Sequence, residues 1–127
     1  MKFTSISSKS APATVGGYSQ GALIEGADRL LFISGQIPER LDGSIPSGFE
    51  AQARQVWSNI VAQLDAADMA IANLVKVTTF LSSREYADIN SQVRQEILGH
   101  HTPALTVIIA EIFDEQWLLE IEAVAAA

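Results

Sequence analysis

The apolar positions of this chain change period along its length, and each change marks an element. From residue 49 to 64, Phe49, Ala53, Val56, Trp57, Ile60 and Leu64 recur at three- and four-residue steps, while Gln52, Gln55, Asn59 and Gln63 occupy the other side. That period predicts an amphipathic helix laid on a sheet. Ser47 followed three residues later by Glu50 reads as a capping box at its start. A second stripe, Tyr86, Ile89, Val93 and Ile97, follows Ser82 and Glu85, which repeat the capping-box spacing, and Gly99 ends it.

Elsewhere the apolar runs are short, rich in β-branched residues and bounded by turn residues. They predict strands at Phe3 to Ile6, Ala22 to Glu25, Leu30 to Ser34, Leu74 to Leu81, Leu105 to Ile112 and Leu118 to Val124. The order is ββ(β)αβαββ, an α+β fold whose mixed sheet carries both helices on one face. Alternation along Leu74 to Leu81 puts Val75, Val77 and Leu81 on one side and Leu74 and Phe80 on the other. Two helices cannot cover both faces, so the open face is expected to meet other copies of the chain.

With 127 residues, 48% of them hydrophobic, residues 1–127 read as one domain with a folded core. No repeat or linker interrupts it. No apolar run approaches the roughly 18 residues that span a bilayer, and Met1 to Ser5 lacks a signal-peptide h-region, so no membrane contact and a cytoplasmic location are expected. The absence of cysteine removes disulfides, thiolate nucleophiles and Cys-ligated metals. A net charge of −7, with eight scattered basic residues, opposes binding to a phosphate backbone, so no nucleic-acid partner is expected.

Candidate chemistry gathers in three places. Leu31-Phe32-Ile33 runs into Ser34-Gly35-Gln36 and is stopped by Pro38, as when a buried strand opens onto a pocket. Gly16-Gly17-Tyr18-Ser19-Gln20-Gly21 packs glycines around a phenol, a hydroxyl and an amide that could line the same mouth. Near the end, Glu120 and Glu122 share one face of a strand, and a carboxylate in a partly apolar cleft has its pKa raised toward that of a working general base. Gly17 to Gly21 also matches G-x-S-x-G, but no strand-to-helix elbow surrounds it. His100-His101 read as solvated loop residues and Lys76 as a structural cation. Asn90, opposite much of the second stripe, reads as a solvated amide or a cleft contact.

These segments together resemble the YjgF/Rid family of reactive-intermediate deaminases, the L-PSP endoribonuclease-like proteins. Gly16 to Gln20 resembles the family's Gly-Pro-Tyr-Ser-Gln loop, Ser34 to Pro38 its pocket-edge strand, and Gln52-Ala53-Arg54-Gln55-Val56 its first helix. Asn73 to Thr78 and Glu120 to Ala125 are similar to further family segments. The resemblance implies a chorismate-mutase-like fold, assembled as a homotrimer around a central barrel with small-molecule clefts between subunits. It implies hydrolysis of enamines or imines, such as 2-aminoacrylate, to ketoacids without metal or organic cofactor. Carried over residue by residue, Glu120 and Tyr18 are the catalytic candidates, and Ser34, Gly35, Asn90, Leu105 and Thr106 the ligand-binding ones. The family's Pro-Ala-Arg-Ser motif, whose arginine grips the substrate carboxylate, stands here as Pro103-Ala104-Leu105-Thr106. Leucine forfeits a charged hydrogen bond of about 1.5 to 3 kcal/mol. The expectation is therefore a deaminase-like hydrolase with altered substrate preference, the alternative a non-catalytic metabolite-binding or regulatory trimer.

Overall fold

The computed structural model describes residues 1–127. Strands β1 (Lys2–Ile6) and β2 (Gly21–Glu25) form a two-stranded antiparallel ribbon. A four-stranded sheet contains β3 (Leu30–Gln36), β4 (Leu74–Leu81), β5 (Ala104–Ile109) and β6 (Leu119–Ala126) in the order β3-β6-β4-β5. Helix α1 (Phe49–Ala66) precedes β4, and α2 (Ala87–Leu98) is the crossover between the parallel pair β4 and β5. The remaining pairs are antiparallel, so the fold is α+β with a mixed sheet, as the pattern predicts. No helix is long and apolar enough to cross a membrane.

The core lies between the helices and one face of the sheet. Val56, Trp57, Ile60 and Leu64 from α1 meet Val77 and Leu81 from β4, Leu119 and Ile121 from β6, and Val93 from α2. These side chains are almost wholly buried. Removing each aliphatic one from water contributes about 1.5 to 3 kcal/mol. On the other face nothing covers Phe32, which is 72% exposed, or Ile108.

Three local expectations are corrected. Helix α1 starts without the Ser47–Glu50 capping box: Gly48, at φ 87, turns the chain into the helix with no side-chain cap, and Glu50 instead pairs with Arg54 at 3.2 Å. Before α2, Ser83 rather than Ser82 caps a 3-10 turn over Arg84–Tyr86, its Oγ accepting from the Glu85 amide at 3.3 Å. In β4 the register against β6 shifts between Leu74 and Lys76, leaving Val75 as the extra residue of a bulge. The bulge turns Leu74 onto the core face with Val77 and Leu81, so it does not share Phe80's side.

Candidate functional site

A second bulge shapes the pocket-edge strand. Ile33 pairs with Ala123 and Gln36 with Ile121, so three steps on β3 oppose two on β6 around Ser34 and Gly35. The bare backbone of Gly35 receives the Glu120 carboxylate. A Cβ there would overlap Oε2 and lie 2.7 Å from Cδ. Burial pushes the Glu120 carboxyl above its ordinary pKa, and the like charge of Glu122 pushes it further. Phe80, Glu111, Ile112 and Phe113 complete a small recess of about 160 Å³ beside it.

Tyr18 belongs to a different wall. Its neighbour Ser19 is buried and fully engaged: the amide donates to Pro103 O at 3.1 Å, the hydroxyl donates to Thr102 O at 2.6 Å, and Ser5 Oγ lies 2.7 Å away. That stitching pins the glycine loop to the start of β5 and removes Ser19 as a nucleophile. Gly17 holds φ 79, where the family's loop has a proline; the pyrrolidine ring, fixed near −65°, could not take this path. Tyr18 and Gln20 then face Leu105 and Val107 of β5 and Ala87, Asn90, Ser91 and Arg94 of α2 across a cavity of about 410 Å³.

The buried side of α2 keeps Tyr86, Val93 and Ile97 of the apolar stripe read from the sequence but departs from it at Ile89 and is wider than the stripe. Ile89 is exposed, while Asn90 and Arg94 are 2% and 5% exposed and join Val93 and Leu98 facing inward. Asn90 is thus a cavity residue and not a solvated amide. Arg94 escaped the sequence reading because a charged residue four positions from an amide reads as the wet side of a helix. Only the cavity that α2 and β5 line together reveals it.

The predicted site residues therefore fall into two groups on opposite faces of the sheet. Phe80 pairs with both Glu120 and Ile108, which puts Glu120 on the open face; Leu105 packs against the core side. Thr106, one residue on, points away from Leu105 and accepts a hydrogen bond from Lys76 Nζ at 2.6 Å. Ser34 is exposed at the β3 edge and does not reach Tyr18. His101 is half-buried with a ring nitrogen 2.6 Å from Leu74 O, so it supports the fold and is not a solvated loop residue. No cluster of three metal-ligating side chains forms.

Comparison with known proteins gives this chain a family and a fold. The sequence profile of the family described as endoribonuclease L-PSP matches residues 8–127. A RutC family protein of Pyrococcus horikoshii is 37% identical over 123 residues, 94% of each chain. The 2-iminobutanoate/2-iminopropanoate deaminase of Escherichia coli K12 is 31% identical over 124 residues, again 94% of each. The crystal structure of E. coli TdcF with bound serine superposes with a TM-score of 0.74 at 28% identity, covering 98% of both chains. On the strength of the profile match and of relatives above 30% identity along nearly the whole length, this chain belongs to the endoribonuclease L-PSP family, the YjgF/Rid proteins that its loop and strand motifs resemble.

Proposed function

We propose that this protein is a cofactor-independent hydrolase of small imines or enamines, working in the cytoplasm as a homotrimer of one-domain subunits. The observation that carries this reading is the Glu120 carboxylate, half-buried and seated on the bare backbone of Gly35 with its pKa raised. A base so tuned takes a proton from water as the oxygen adds to the C=N carbon. It passes that proton to the nitrogen to give the carbinolamine, then takes the carbinolamine's hydroxyl proton and delivers it to the nitrogen as the C–N bond breaks and the C=O bond forms, so imine and water become a carbonyl compound and ammonia. The 31% identity to an iminobutanoate deaminase supports the reaction class. Bound serine in TdcF supports an amino-acid-sized ligand.

The divided site supports an assembly of copies, and its threefold order is what the family resemblance implies. Glu120 and Tyr18 lie on opposite faces of one sheet, and the open face presents Phe32 and Ile108 to solvent. Joining edges of two copies, in a chorismate-mutase-like barrel, brings the Glu120 wall of one subunit to the Tyr18 wall of the next. A ligand-binding role without turnover is the second reading, favoured by Leu105 standing where the family's motif has arginine. Backbone cleavage of RNA, which the family's name describes, is opposed by the net charge of −7.

The test is a coupled assay in which an amino-acid oxidase generates 2-iminobutanoate and ketoacid release is followed. Acceleration over the uncatalysed rate that disappears in Glu120→Gln supports the hydrolase. Ligand binding without acceleration selects the second reading.

A further inference from the structure

Arg94 is the only charged residue lining the Tyr18 cavity. Its Nε is buried with no hydrogen-bond partner, and no carboxylate pairs with its guanidinium, since the ion pairs of the chain both belong to Arg54. A cation held 95% out of solvent with no carboxylate partner is costly to the fold, and the neighbouring Tyr18 is what favours its charge. The chain carries fifteen acidic residues, and none of them lines this cavity.

We infer that Arg94 is the anion-binding group of this cavity, and that it takes the carboxylate of a small 2-keto or 2-imino acid. The inference rests on the small-molecule reading above and names the group that grips the ligand. Leu105 offers no charge from β5, yet α2 lines the same cavity and delivers a guanidinium to it from the helix side. Arginine suits this role because its planar fork matches both carboxylate oxygens. Tyr18, Asn90 and Ser91 supply neutral hydrogen-bonding groups around it. A cavity of about 410 Å³ lies within the range of small-ligand sites.

The test uses the assembled protein, titrated calorimetrically with 2-ketobutyrate and with its uncharged methyl ester. The expected result is binding of the acid and not of the ester at equal concentration. Arg94→Met, which keeps the side-chain length without the charge, weakens acid binding at least about tenfold and raises the melting temperature, because a buried charge without a carboxylate partner has gone. Arg94→Lys retains part of the affinity. A structural arginine would give the opposite thermal result.

Equal acid affinity in Arg94→Met and wild type, or acid binding by neither, overturns the inference. So does a fall in melting temperature with loss of the oligomer, which would mean that the cation pairs with a second copy. Imine turnover on the same samples separates the two readings. Turnover with an unchanged KM in Arg94→Met removes the arginine assignment alone, whereas Arg94-dependent ketoacid binding without wild-type turnover removes hydrolysis alone.

Discussion

Replacing Gly35 by alanine tests whether bare backbone is what places Glu120. The new Cβ would overlap Oε2 and sit 2.7 Å from Cδ and 3.0 Å from Cγ of Glu120. Ordinary carbon contacts lie near 3.5 to 4.0 Å, so the carboxylate must swing away by roughly an ångström or more. The obstacle is the far end of a flexible side chain, and Gly35 is not among the glycines with positive φ, so the backbone accepts alanine. Rotating Glu120 off its preferred rotamer costs about 0.5 to 1.5 kcal/mol, and alanine recovers about 0.4 to 1 kcal/mol by restricting the unfolded chain. The two nearly cancel, and the melting temperature should stay within about 5 °C of wild type. Turnover should fall about 100-fold, the usual effect of misplacing a reacting group by an ångström. Carboxyl-carbon NMR should show the Glu120 titration moving back toward the ordinary glutamate value as the group leaves its recess. Wild-type turnover in folded Gly35→Ala protein, or an unmoved Glu120 titration, would refute the reasoning.

Other substitutions probe other parts of the account. Glu120 has a raised folded-state pKa, so its stabilising protonated form is fully present below the unfolded value near 4.3 and that contribution is lost as pH rises through the folded value. Glu120→Gln should therefore match wild-type stability at acid pH and exceed it at pH 8 in urea titrations; the reverse order contradicts the burial argument. Leu105→Arg brings a second guanidinium into the cavity that holds Arg94, so the variant should melt several degrees lower without ligand and recover with millimolar 2-ketobutyrate, read by thermal denaturation. Phe32→Glu places a charge on the uncovered sheet face opposite Val124 and should shift sedimentation equilibrium toward monomer with the fold intact by circular dichroism.

The period of apolar residues makes both helices and all six strands legible, because burial against a sheet leaves a strong mark on α1 and on β4. What it misses is local geometry set by single residues. Gly48 enters α1 by a positive φ that makes Ser47 unnecessary as a cap, and one extra residue in β4 reverses the face of Leu74. Of the residues that line the two walls, Tyr18, Gly35, Asn90, Leu105 and Glu120 are singled out by motif likeness, but motifs do not say which face a side chain leaves from. Thr106 turns to Lys76 while Leu105 turns to α2. Arg94 is invisible for the opposite reason: hydropathy assigns arginine to water, and only the folded arrangement of α2 and β5 around one cavity encloses it.

The central claim is that each catalytic cleft is assembled from the Glu120 wall of one subunit and the Tyr18 wall of another. Co-expression of Arg94→Met and Glu120→Gln chains tests it directly, with imine turnover measured at substrate well below KM. If the walls come from different copies, random one-to-one assembly gives about one quarter of clefts with both walls intact, and the mixture should recover about a quarter of wild-type activity. A mixture no more active than the average of the two variants, each purified alone, would contradict the account.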